Sequence, residues 1–173
     1  LRAERRSPDL WVRHRAAPDV LDLRLGLGPR PSAVQVRPET RGDEALRREL
    51  AEELSTGATL AQVPVTVSLV DAAVVALVGA AGDTTALATS LVLQAACLHS
   101  PEDVVLVAAT GPERLMGPWL KWLPHTRAAS SPLAGGHLAH TGAALQRLLR
   151  ELLVVAEDRA AATDRTIDRR WPR

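Results

Sequence analysis

The chain has 173 residues, enough for one well-packed domain with a short appended arm. Its net charge of +1 gives no electrostatic basis for binding nucleic acid over the whole surface, and no apolar run approaches the roughly 20 residues of a membrane-spanning helix. There is no Phe or Tyr, so we expect a core of Leu, Val and Ala. Cys97, the single cysteine, excludes an internal disulfide and is predicted to be a small buried side chain.

Three strands are predicted in the first half of the chain. Residues 22–27 and 33–37 both alternate polar and apolar side chains, which is typical of half-buried strands. We expect them to pair as an N-terminal β-hairpin across the turn at Gly28 and Pro29. Another strand is predicted over 65–69.

A helix is predicted between these strands. Asp43 is a favourable N-terminal cap, and Gly57 is a favourable C-terminal stop. Leucines recur at every fourth position on one face: Leu46, Leu50 and Leu54.

Residues 74–109 predict a parallel βαβ crossover. A wholly apolar strand over 74–78, a turn, a helix over 84–99 and a second buried strand over 104–109 follow one another. A last helix over 142–162 is predicted to bury a leucine face: Leu145, Leu148, Leu149, Leu152 and Leu153. The fold class is therefore α/β, with a P-loop-NTPase-like parallel sheet flanked by helices and an N-terminal β-hairpin.

The turn between the first crossover strand and its helix has the outline of a phosphate-binding loop. Gly79, Gly82, Thr84 and Thr85 are the candidate nucleotide-binding residues. The usual pattern ends in Lys followed by Ser or Thr, and this loop has no lysine. Asp83 would also bring negative charge toward a phosphate. A purely structural turn is favoured over weak binding of ATP and Mg²⁺, and both are favoured over hydrolysis.

The histidines do not predict a metal site. His137 and His140 are three residues apart, but Gly135 and Gly136 indicate a loop with no nearby carboxylate or Cys ligand. We interpret the two histidines as a solvated pair. His99 is interpreted as a C-terminal residue of the preceding helix, favoured there by the helix dipole.

Residues 119–125 combine unusual residue types. They hold two of the four tryptophans, Trp119 and Trp122, with His125 and the only lysine, Lys121. One interpretation is a short helix whose indoles fill a core that lacks other aromatics. The other is an interaction surface, because Trp beside a cation is typical of binding hot spots. Both hold if one indole points inward and the other outward.

The string Trp-Leu-Lys-Trp-Leu-Pro-His at 119–125, with the run at 98–104 before it, closely resembles EccC-type ATPases. These are the membrane-anchored, FtsK/SpoIIIE-like motors of type VII secretion in actinobacteria. Residues 10–15 and 18–28 are similar to the segment that follows the transmembrane helices in that family. The similarity covers roughly residues 8 to 160, and the string at 119–125 is its most specific part.

The resemblance implies a membrane-proximal, degenerate ATPase-like domain. It implies a linker or stalk remnant over 1–18, the domain over 19–165 and a tail over 166–173, cut from a longer protein. The implied partners are other type VII secretion membrane components and the downstream ATPase domains of the same chain, in a hexamer at the cytoplasmic face of the plasma membrane. No cofactor and no nucleic acid are expected for this fragment.

Three functions follow as hypotheses. The first is a non-catalytic coupling domain that acts through Trp119, Lys121, Trp122 and His125. The second is an NTPase in which an arginine replaces the missing lysine, with Arg114, Arg127 and Arg147 as candidates. The third, DNA translocation as in the wider FtsK group, is disfavoured by the near-neutral charge.

Overall fold

The computed structural model describes residues 10–34, 43–110 and 117–170. Its elements are, in chain order, β1 (Asp22–Pro31), α1 (Glu44–Gly57), β2 (Thr59–Ser68), α2 (Leu69–Ala72), α3 (Ala81–Leu98), β3 (Ala108–Ala109), two 3-10 turns (Pro118–Trp122 and Pro124–Thr126), β4 (Leu138–Ala139) and α4 (Gly142–Arg170). The chain divides into a strand unit, Leu21–Val75, and a helical unit made of Leu1–Val20 with Ala76–Arg173. Among the described residues, none of the helices combines the length and the apolar character needed to cross a bilayer.

The strand unit is built on an antiparallel pair. β1 pairs with β2 along its whole length, from Asp22 opposite Ser68 to Pro31 opposite Thr59. The predicted hairpin turn at Gly28 and Pro29 is wrong. β1 continues through both residues, and its partner is β2 instead of a strand over 33–37. Pro29 lies at a register irregularity, where no ladder N–H is required of it. Residues 35–37 lie outside the described part of the chain.

Helix α1 confirms the prediction from its caps. The Asp43 carboxylate accepts hydrogen bonds from the N–H groups of Ala45 and Leu46 at 2.8 and 3.3 Å, so two of the helix's unpaired donors are satisfied. The helix ends at Gly57, as predicted. Leu46 and Leu50 are nevertheless exposed, so the leucine face is not covered.

The predicted parallel crossover does not form among the described residues. Residues 74–78 are not in a strand, and Val74 and Val78 are 82% and 95% exposed. Only Ala108 and Ala109 of the predicted second strand are in β3, which pairs in parallel with β4. An apolar run becomes a buried strand only where a neighbouring strand binds its backbone, and sequence periodicity cannot show that neighbour. The P-loop-like sheet is therefore not confirmed.

The core of the helical unit lies between the β3–β4 pair and α4. Leu133, Ala139 and Leu148 are buried, with partly buried side chains packed against them: Val107, Ala144, Leu145, Leu152 and Val155. Helix α4 thus buries the face that carries Leu145, Leu148 and Leu152. The predicted burial of Leu149 and Leu153 is wrong, since both are exposed. Each of these two leucines lies one position after a residue of the buried face, and that face repeats every three to four residues.

Candidate functional site

The segment 119–125 forms two consecutive 3-10 turns, each beginning at a proline. Pro118 starts the first turn and Pro124 the second, because the ring fixes the helical φ and needs no N–H partner there. Leu120 is buried, Trp119 is half-buried and Trp122 is 70% exposed. The buried anchors of this segment are therefore Leu120 and His125, and not its indoles.

His125 is fixed by a hydrogen bond to another buried residue. Its Nε2 lies 2.8 Å from the carbonyl oxygen of His99, and both histidines are fully buried. A carbonyl oxygen only accepts, so Nε2 carries the proton and the neutral ring leaves Nδ1 as an acceptor. Nδ1 has no hydrogen-bond partner within the described ranges. The His125 ring also meets the edge of Trp11, with ring centroids 6.5 Å apart and planes at 76°.

The third member of this cluster, Trp11, reaches it by capping α3. Its backbone N–H donates to the carbonyl of Cys97 at 2.8 Å, and its indole N–H donates to the carbonyl of Ala96 at 3.1 Å. Both carbonyls belong to the last turn of α3, where carbonyl oxygens have no backbone N–H partner within the helix. Trp11 has a φ of 59°, a left-handed conformation that costs about 1–3 kcal/mol and that these bonds offset. Cys97, expected to be buried, is exposed.

His99 joins the end of α3 to the 119–125 segment. It is the C-terminal cap residue of α3, as predicted, and its ring Nδ1 lies 3.1 Å from the carbonyl of Ala95 in the same helix. The backbone N–H of Leu106 in turn donates to the His125 carbonyl at 3.0 Å. We name Trp11, His99 and His125 the indole–imidazole cluster. It ties together residues 10–13, the end of α3 and the second 3-10 turn.

The charge state of His125 is consistent with a structural role for the cluster. Burial lowers the pKa of His125 below its ordinary value of 6.5, the hydrogen bond to the His99 carbonyl raises this pKa, and the charge of His99 lowers it. The net direction is down, so His125 is neutral at pH 7. Within the described ranges, the His125 ring makes no hydrogen bond to a nucleophilic side chain.

The loop residues predicted to bind nucleotide lie at the start of α3. The Thr84 hydroxyl donates to the carbonyls of Ala80 and Ala81, both at 3.1 Å. The Thr85 hydroxyl donates to the Ala81 carbonyl at 2.7 Å. Gly82 lies in the first turn of the helix and Gly79 just before it, after the segment that forms no strand. Both hydroxyls are thus used inside the helix, and their binding of nucleotide stays a prediction.

The three candidate arginines have different positions. Arg147 is 4.0 Å from Glu151 across one turn of α4, and Arg127 is exposed just after the second 3-10 turn. Arg114 lies outside the described residues. Among the described residues, neither Arg127 nor Arg147 forms a hydrogen bond with Thr84 or Thr85.

The two histidines of the 135–140 region are not a solvated pair. His137 is buried, and its Nε2 lies 2.7 Å from the hydroxyl of Ser131. His140 is exposed, and its Nδ1 lies 2.6 Å from the hydroxyl of Thr110. The part of the chain that the structure describes holds no group of three metal-ligating side chains.

The comparisons with known proteins identify the family of the chain. No family profile matches the chain. It is 32% identical over 157 residues to the ESX secretion system protein EccC of Thermomonospora curvata, an alignment that covers 83% of this chain and 12% of that protein. It is 31% identical over 127 residues to the ESX-4 secretion system protein EccC4 of Mycobacterium tuberculosis, covering 70% of this chain and 10% of that protein. The chain is an EccC-type domain. It spans about a tenth of the length of these curated relatives.

Sequence reasoning missed two members of the cluster in this EccC-type domain. Trp11 lies within the predicted linker and His99 at the end of a predicted helix, and nothing in the sequence joins either residue to His125. The available signal was composition: a chain with only four tryptophans has one at position 11, inside a stretch assigned to a linker. The structure places that tryptophan against α3 and the 119–125 segment.

Proposed function

We propose that this EccC-type domain is a non-catalytic coupling and assembly domain of a type VII secretion protein, which links its membrane part to downstream motor domains. The relatives carry the names of ESX secretion system proteins, which supports a role in that system. The observation that carries the coupling role is Trp122, a large indole held 70% exposed on an anchored turn.

The anchoring makes Trp122 suitable for binding. Leu120 two residues before it and His125 three residues after it are buried, so the turn loses little further freedom when a partner binds. The ammonium of Lys121 lies 5.1 Å from the centroid of the Trp122 ring. An exposed indole on a rigid support, beside a cation, is the usual composition of a hot spot.

Trp122 also forms one wall of a surface groove of about 740 Å³. The other lining residues include Pro101, Pro124, Arg127 and Arg15, whose Nε lies 3.0 Å from Asp103. Proline and alanine walls, with two arginines and Glu102 among the lining residues, give the groove the mixed apolar and charged character of a protein-binding surface. We assign the partner of this groove to the type VII assembly.

The rest of the proposal concerns the assembly. The partners are other membrane components of type VII secretion and ATPase domains of the same protein, arranged as a hexamer at the cytoplasmic face of the plasma membrane. We expect no nucleic acid among the partners, because a net charge of +1 gives no extended basic surface of the kind that binds a nucleic-acid backbone. No cofactor is required for coupling.

The test is Trp122→Ala in the full-length protein, compared with Leu153→Ala. Both residues are large, apolar and exposed, at 70% and 59%, but Leu153 lies on α4 away from the groove lining. We expect Trp122→Ala to reduce type VII secretion and the co-purification of other components, with thermal stability unchanged, and Leu153→Ala to do neither. Normal secretion and normal assembly with Trp122→Ala would refute the coupling role.

A further inference from the structure

A second, smaller cavity of about 230 Å³ lies beside the parallel pair in the helical unit. Thr110 directly follows β3 and His140 directly follows β4. Because the strands are parallel, both residues leave the pair at the same edge, and the Thr110 hydroxyl lies 2.6 Å from Nδ1 of His140. Both line the cavity, together with Lys121.

Among the described residues that line the cavity, Lys121 supplies a positive charge. Lys121 is the only lysine of the chain, and within the described ranges no carboxylate lies within 4 Å of its ammonium. None of the described residues that line the cavity is acidic. The larger groove near Trp122 differs, because Glu102 is among its lining residues. The small cavity therefore favours an anion.

The hydrogen-bonding groups are donors. When the Thr110 hydroxyl donates to Nδ1, the neutral His140 ring carries its proton on Nε2 and keeps one donor for a ligand. The Lys121 ammonium supplies donors and a point charge, which is the usual way in which lysine binds phosphate. The remaining walls are apolar, from Leu120, Leu138 and Pro118. They suit an organic group attached to the anion.

We propose that this cavity binds a phosphomonoester. Its phosphate contacts Lys121 and His140, and its organic part packs on Leu120 and Leu138. This inference goes beyond the coupling role, since it concerns a ligand at the sheet edge and does not depend on a protein partner at Trp122.

The experiment follows the His140 and Lys121 side-chain signals by NMR in the 173-residue chain. Phenyl phosphate and inorganic phosphate are added at constant ionic strength and constant pH. We expect saturable shifts of both side chains, with phenyl phosphate binding tighter than inorganic phosphate because of the apolar walls. Lys121→Gln should weaken phenyl phosphate about tenfold, and Lys121→Arg should keep most of the affinity.

Arg127→Gln is the matched control, because it removes one exposed cation that lines the other groove. It should leave phenyl phosphate binding unchanged. Far-UV circular dichroism establishes that each variant is folded. Shifts that rise linearly without saturation, or an affinity that Lys121→Gln does not change, would overturn the site. Acetate that competes as well as inorganic phosphate would overturn the assignment to phosphate and leave a general anion site.

Discussion

Removal of the His125 ring should lower the free energy of unfolding of the helical unit, and the expected loss can be worked out from the contacts of the ring. His125→Ala deletes the donor to the His99 carbonyl, a buried bond of 2.8 Å whose loss costs about 1–3 kcal/mol. It also deletes the edge contact with Trp11, worth about 0.5–1.5 kcal/mol. Loss of the unpartnered Nδ1 offsets part of this. We expect a decrease in the free energy of unfolding of about 2–4 kcal/mol.

His125→Gln separates the two contributions. The glutamine amide nitrogen occupies about the position of Nε2 and restores the donor to the His99 carbonyl, but the side chain has no ring to meet Trp11. We therefore expect His125→Gln to lose about 1 kcal/mol, well below the loss for His125→Ala. Trp122→Ala, at an exposed position in the same segment, should stay within about 0.5 kcal/mol of the parent protein.

The pH dependence gives a second, independent measurement. The pKa of His125 in the folded protein is lowered by burial from its ordinary value of 6.5, so the unfolded chain takes up the proton first as the pH falls. The free energy of unfolding should therefore be constant for this group above pH 6.5 and decrease below it, until the pH reaches the lowered pKa. Both variants lack the titrating ring and should lose this part of the decrease, while His99 remains in all three proteins.

Urea unfolding followed by circular dichroism at pH 7.5 and pH 5.5 measures the stability loss of each variant and the pH dependence of its free energy of unfolding. The reasoning would be refuted if His125→Gln were as unstable as His125→Ala, because the hydrogen bond would then contribute nothing. An unchanged pH dependence in both variants would show that His125 is not the group that titrates.

Two further predictions concern α3 and α4. Calorimetry of the 173-residue chain should give no heat of binding with Mg-ATP up to millimolar concentrations, because the Thr84 and Thr85 hydroxyls are hydrogen-bonded within α3. ATP turnover that is abolished by Thr84→Ala or by Thr85→Ala would contradict the non-catalytic role. Gly135→Ala should destabilise the protein by about 1–3 kcal/mol and lower the urea midpoint, since the new Cβ would lie 2.7 Å from Oε1 of Glu151, and moving that carboxylate would disturb the hydrogen bond that its Oε2 accepts from the Gly135 N–H. A Cβ at Gly136 meets nothing within 4 Å, so Gly136→Ala should be nearly neutral.

Local elements of this protein were predictable because their hydrogen bonds are local. Asp43 and Gly57 set the bounds of α1, and the start of α4 at Gly142 was also predicted. Helix formation depends on residues three and four positions apart, which the sequence shows directly. The family was also predictable, since the string at 119–125 resembles EccC-type proteins, and the chain is 31–32% identical to two EccC proteins over 70–83% of its length.

The candidate site could be predicted only in part. The sequence singled out Trp122 and His125, but not that the first is exposed and the second buried. Each of these outcomes depends on which distant segment covers the residue. The segment that covers His125 includes Trp11. Trp11 is held there by a hydrogen bond to a carbonyl in the last turn of α3, and that carbonyl is free to accept only because the helix ends at this point.

The sequence by itself determined α1 with its caps, the start of α4, the absence of a lysine from the Gly79 loop and the family of the chain. Tertiary structure decided that β1 pairs with β2, that residues 74–78 form no strand, and that Trp11, His99 and His125 meet. The physical reason is the same in all three cases. A strand or a buried imidazole is stabilised by a partner far along the chain, and the identity of that partner is fixed only when the segments pack.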